Sequence, residues 1–137
     1  MTRIVRRFAP FILVAAVGLT LAACGSTQDE VAVPSVATFE IEGQTFKIEL
    51  ITRELVEHAY DLMDGGEDGR IPVGTIVRDD PSVNEPWSWH IDPETVEFAD
   101  MTTEVCDGLP EYVEDGTLTS DIFCPWLTKV IAIEPLS

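Results

Sequence analysis

Positive charge is what this sequence has least of. Eight Lys and Arg stand against 25 Asp and Glu in 137 residues, and Arg3, Arg6 and Arg7 account for three of the eight. The remaining cations, Lys47, Arg53, Arg70, Arg78 and Lys129, are scattered, and every acidic residue follows Cys24. From there on, five cations meet 25 acids, a net charge of −20. Without a basic patch the surface repels phosphate backbones and anionic lipid headgroups, so nucleic acid is not expected as a partner. An acid-rich, Lys-poor surface suits solubility or high salt; attraction of cations or of a basic protein is the functional alternative. Histidine is equally sparse: only His58 and His90, neither at ligand spacing from a cysteine, and no C-x-x-C pair. That excludes the familiar zinc spacings, and no metal or cofactor is expected. There is no G-x-S-x-G elbow, no internal repeat and no sustained heptad. No apolar run reaches the ~20 residues that span a bilayer.

What is present begins with an uncharged stretch from Phe8 to Ala23, 16 residues interrupted by Pro10 and preceded by the basic head. It ends in Leu21-Ala22-Ala23-Cys24-Gly25. This resembles a bacterial lipoprotein signal with its lipobox. The resemblance implies that residues 1–23 are a signal peptide and that cleavage leaves Cys24 at the N-terminus with lipid on its sulfur. The membrane is then a partner through that lipid, and the protein sits in the cell envelope, facing the periplasm or the exterior. Each buried methylene stabilises such attachment by about 0.8 kcal/mol. Residues 24–36 show no helical or strand period and read as the lipidated cysteine and a flexible tether. Residues 37–137 then form one domain with a modest core. With Cys24 assigned to lipid, Cys106 and Cys124 remain as a pair in an oxidising setting, which favours a disulfide over a zinc site. Closing that 19-residue loop constrains the unfolded chain by about 3 kcal/mol.

Thr38 to Ile51 alternates apolar and polar around Glu42-Gly43-Gln44 and predicts a β-hairpin. Thr52 offers an N-cap, and Leu55, Val56, Ala59, Leu62 and Met63 mark the apolar face of a helix that Gly65-Gly66 stops. Ile71–Val77 and Trp87–Asp92 read as strands, Val96–Ala99 as a strand or turn. Asp107 is expected to cap a short helix with Pro110 in its first turn and Leu109, Tyr112 and Val113 turned inward. Lys129–Ile133 closes the chain as a strand. The sum is a small α+β domain, a mostly antiparallel sheet with two helices packed on one side.

Asn84-Glu85-Pro86-Trp87-Ser88-Trp89-His90-Ile91-Asp92-Pro93 is one of several motifs with an unusual composition. Glu104-Val105-Cys106-Asp107, Tyr112-Val113-Glu114-Asp115 and Cys124-Pro125-Trp126 follow it, and His58-Ala59 precedes it. Together they resemble the N-terminal domain of a slime-mould calmodulin-binding protein family and its small bacterial relatives, over about residues 37–132. Calmodulin binding is not expected to carry over: its targets are basic amphipathic helices, and both helices here are acidic.

On an extended 87–92 segment Trp87, Trp89 and Ile91 share one face, and Ser88, His90 and Asp92 the other. The candidate binding surface is therefore Trp87, Trp89, His90 oriented by Asp92, and Trp126; in the plainer reading the tryptophans are core. Ser88, His90 and Asp92 do not make a triad, because side chains two apart on a strand stand parallel, and no catalytic residue is assigned. Residues 64–69 match a calcium loop only in part, with Gly66 and Thr75 at ligand positions, and read as an acidic turn. His58 is expected to pair with Glu54 or Asp61 on the helix surface. The functional expectation is a lipid-anchored, non-catalytic extracytoplasmic module that binds an unidentified protein or small ligand. The alternative is a small hydrolytic or metal-assisted enzyme using His90 and nearby carboxylates.

Overall fold

A computed structural model describes residues 30–137. The signal-like segment, Cys24 and the first part of the expected tether, residues 25–29, lie outside the described residues. Strand β1 (Ser35–Ile41) and strand β2 (Gln44–Leu50) form the expected hairpin, paired from Ser35↔Leu50 to Ile41↔Gln44. The turn at Glu42-Gly43 takes two positive φ angles, 49° and 80°, the twist that matches the flanking strands and the reason glycine sits second. β1 begins at Ser35, so the last two residues assigned to the tether, Ser35 and Val36, belong to the sheet. Thr52 caps helix α1 (Arg53–Met63), its hydroxyl accepting from Leu55 N–H. Val56 and Ala59 are buried, whereas Met63, expected on the apolar face, is exposed at the end of the last turn.

The expected single sheet is two. Strand β3 (Ile71–Arg78) is the spine of the second, pairing with β4 (Trp89–Ile91), β5 (Glu97–Ala99) and β6 (Ile122–Phe123), all antiparallel. Short partners reach different parts of β3, and a 3-10 turn at Pro93–Thr95 separates β4 from β5. There Thr75 donates its N–H to Thr95 Oγ1 at 2.9 Å, and its carbonyl accepts from Asp92 N–H. Gly74 lies against Ile91 so closely that a Cβ would collide with that side chain. Helix α2 (Pro110–Glu114) follows, and strand β7 (Lys129–Pro135) returns to β1, giving the order β2-β1-β7. α1 packs on this three-stranded sheet and α2 against β2.

Rings join the two sheets. Phe39 stacks on Phe46 at 5.3 Å, and Phe46 and Trp89 both meet Phe123 edge-on at 5.3 and 5.4 Å. Each of these four side chains is buried, which stabilises by roughly 2–3 kcal/mol apiece. A second, smaller cluster gathers Ile71, Val73 and Trp126 around Cys106 and Cys124. These cysteines form a disulfide, Cα–Cα 5.1 Å.

Candidate functional site

The loop from Asp79 to Ser88 is organised around Asn84, the chain's single asparagine and fully buried. Its Nδ2 donates to the Trp89 carbonyl of β4 at 2.8 Å, and its Oδ1 accepts from Lys47 N–H of β2 at 2.7 Å. One side chain thus bridges the two sheets. Trp87 adds a second tie, its indole N–H donating to Thr45 O at 2.7 Å. Both bonds fall on the outer edge of β2, covering backbone groups that would otherwise invite another strand.

That construction corrects the strand expected over Trp87–Asp92. Trp87 N–H bonds back to Asn84 O at 3.1 Å and closes a turn, so β4 starts only at Trp89. Trp89 is 1 % exposed and belongs to the core, not to a contact surface. Its indole N–H has no hydrogen-bond partner among the described residues. His90 is oriented by Asp80, not by Asp92: its Nδ1–H donates to Asp80 O at 2.7 Å. Asp92 instead accepts from Glu94 N–H and caps the 3-10 turn. Beside Trp87 lies an open hollow lined by Asp79, Pro81, Glu85, Pro86 and Ser88.

Trp126 lies elsewhere, in the disulfide cluster, so the five residues expected to share a surface do not. Trp126 is held at ring and backbone: the indole N–H donates to Thr102 Oγ1 at 2.6 Å and the main-chain N–H to Asp107 Oδ1 at 2.9 Å. This also explains why Asp107 does not cap α2; its carboxylate is turned to Trp126, and Leu109 stands at the cap without a side-chain bond. Tyr112, expected inward, is 38 % exposed. Around Trp126 the surface is greasy: Met101 is 85 % exposed and Leu127 75 %. Two adjoining depressions of about 280 Å³ each meet there. One is lined by Leu62, Glu67, Trp126, Leu127 and Lys129, the other by Ile71, Asp100, Met101, Trp126 and Leu127, and Arg70 lines both.

Neither Arg70 nor Lys129 forms an ion pair among the described residues. Asp100 is engaged by Gly69 N–H. His58 departs from its expected carboxylate pairing, donating from Nε2 to Gly69 O at 3.0 Å with its ring 4.6 Å from Phe98. It fixes the turn that leads into Arg70. Among the other cations, Arg78 donates to the carbonyls of Val113, Leu118 and Ser120 and ties the end of α2 to β3. In the same segment the Thr117 hydroxyl and then its backbone amide hold the Asp115 carboxyl below the usual carboxylate range. Among the described residues no group of three His, Cys, Asp or Glu could hold a metal ion. No described helix is long and apolar enough to cross a membrane.

Sequence does not show this grouping, because Arg70, Met101 and the Leu127-Thr128-Lys129 stretch come from three separate parts of the chain. The available signal is the adjacent large apolar pair Trp126-Leu127 just after Cys124.

The fold is a small two-sheet α+β domain whose disulfide-linked loops border an apolar groove around Trp126. A family model for the N-terminal domain of calmodulin-binding protein 74 matches residues 31–137. The chain belongs to this family. No curated protein and no solved structure matches it.

Proposed function

We propose that this protein is a non-catalytic recognition module held on a membrane by lipid on Cys24 and displayed toward the periplasm or exterior. Its contact surface is the Trp126 groove rather than the Trp87–His90 loop. The observation that carries this reading is the position of the groove. The described chain starts beside the first turn of α1, where Glu30 pairs with Arg53 at 3.0 Å, and enters β1 opposite Pro135. Lys129, which lines the groove, stands at the other end of β7, opposite Glu40. Seven residues of strand separate the two ends, about 20 Å at strand rise. A tether leaving residue 30 would therefore hold the domain by one end and present the groove at the other.

The hydrolytic alternative has one observation in its favour: with Nδ1–H fixed on Asp80 O, His90 keeps Nε2 for other chemistry. Radiolabelled palmitate should enter the wild-type chain and not the Cys24→Ser variant, which should leave the membrane fraction. Capture of a partner from envelope extract should survive His90→Ala and fail with Leu127→Asp. An unlabelled, full-length chain recovered from the cytosol would defeat the anchor, and turnover lost on His90→Ala would favour the enzyme.

A further inference from the structure

We infer that the Trp126 groove takes a small ligand with an apolar body and one carboxylate, the carboxylate seated on Arg70 and the body on Trp126, Leu127 and Met101. The inference rests on reading the groove as the recognition surface.

It follows from where the scarce cations go. Arg53 is paired with Glu30, and Arg78 is held by three backbone carbonyls. Of the three left without such partners, Lys47 stands on β2, while Arg70 and Lys129 converge on one groove. On a surface of net charge −20 beyond residue 24, two cations set together without an ion pair among the described residues are an exception that composition does not explain. Asp100 and Glu67 line the groove as well. The Asp100 carboxylate already receives Gly69 N–H. Glu67 lines only the depression shared with Lys129 and forms no ion pair with either cation among the described residues. Arg70 lies where the two depressions meet, so its guanidinium fork is placed to receive a planar carboxylate with both oxygens.

The surrounding field limits the ligand. A doubly charged phosphate would be repelled at long range by the acidic surface, whereas a single charge on a large apolar body loses less. An amine would meet Arg70 and Lys129 as like charges. Depressions of about 280 Å³ suit a compact ring or short chain, at the lower end of small-ligand sites. Trp126 is fixed by hydrogen bonds at ring and backbone, so little side-chain order is lost when the ligand seats on it.

The test uses the purified full chain in lipid discs, with empty discs as the blank, titrated calorimetrically with 4-phenylbutyrate, 4-phenylbutanol and 4-phenylbutylamine. The acid should bind at least about tenfold more tightly than the alcohol or the amine, as expected for a charge-assisted pair. Arg70→Gln should erase that preference while leaving the alcohol's affinity unchanged. Leu127→Asp should weaken all three, with an unaltered melting temperature showing that the domain is still folded. Equal binding of acid, alcohol and amine would overturn the carboxylate assignment and leave the recognition surface standing. No binding of any probe up to about 10 mM would overturn the small-ligand inference, while partner capture blocked by Leu127→Asp would keep the recognition reading. A dimer abolished by Leu127→Asp would replace the ligand with a second copy of the chain.

Discussion

Two loops carry the tryptophans that shape this protein, built from similar parts for opposite ends. In the 79–88 loop, polar atoms turn inward and reach far along the chain. Asn84 takes Lys47 N–H, 37 residues away, and Trp87 reaches Thr45 O, 42 residues away. In the Trp126 turn the partners belong to the facing loop: Thr102 Oγ1 holds the ring, Asp107 Oδ1 holds the Trp126 backbone N–H, and Cys106 is bonded to Cys124 in the same cluster. The first loop finishes a sheet edge and hides Trp89. The second secures itself and leaves Met101 and Leu127 in water. A loop tied to distant strands completes the fold, whereas a loop tied mainly to its neighbour can present a surface without the sheets depending on it.

The comparison breaks most severely at Asn84. Asn84→Leu keeps the branched outline of the side chain but leaves Lys47 N–H and the Trp89 carbonyl without partners. At about 1–3 kcal/mol for each orphaned group, the expected loss is about 4 kcal/mol. That is a large share of the 5–15 kcal/mol typical of a domain. Urea unfolding measures it, and a loss below about 1 kcal/mol would mean that this side chain does not join the sheets.

The disulfide comes next. Replacing Cys106 and Cys124 together by Ala should cost about 3 kcal/mol, the loop-closure value for this separation, read as a lower melting temperature. Its distribution is more telling than its size. Cys124 N–H, bonded to Cys106 O at 2.8 Å, and Trp126 N–H should lose hydrogen-exchange protection first, with Phe39 and Lys47 amides still protected. Simultaneous loss at all four would show that the two regions open as one unit.

What could be read from the chain was local. The hairpin, the Thr52-capped helix, the class of fold and the pairing of Cys106 with Cys124 depend on period, turn chemistry or cysteine arithmetic, and the structure contains each. Sheet division was not legible, because the partners of β3 are strands of two and three residues whose register carries no pattern. Nor was the bridging role of Asn84, since nothing near position 84 announces a bond to position 47. Alternation placed Trp87, Trp89 and Ile91 on one face, but the Asn84–Trp87 turn removed Trp87 from the strand. Asp107 looked like a helix cap because Pro110 follows at the right distance; the nearer demand came from Trp126 N–H, which the cysteine pairing brings alongside. The family resemblance located these motifs correctly without saying which of them are scaffold.

The finest separation of the two regions compares Trp87→Phe with Trp126→Phe. Both changes remove one indole N–H bond and shorten one ring, so on chemistry alone each should cost about 1 kcal/mol. Their surroundings differ. Trp87 lies 6.4 Å from Trp89 and packs against the main core, and its bond covers the edge of β2. Its loss is therefore transmitted to the sheet that defines global stability, and Trp87→Phe should lower the unfolding free energy by about 1–2 kcal/mol. Trp126 packs on the small disulfide cluster, where the covalent link remains after the ring is shortened. Trp126→Phe should change global stability by less than about 1 kcal/mol yet loosen the loop that carries Thr102. Urea unfolding of the two variants, paired with exchange at Thr102 and Thr45, distinguishes them. Equal losses, or a larger one for Trp126→Phe, would mean that the groove is part of the structural core and that its exposed residues are held there for stability.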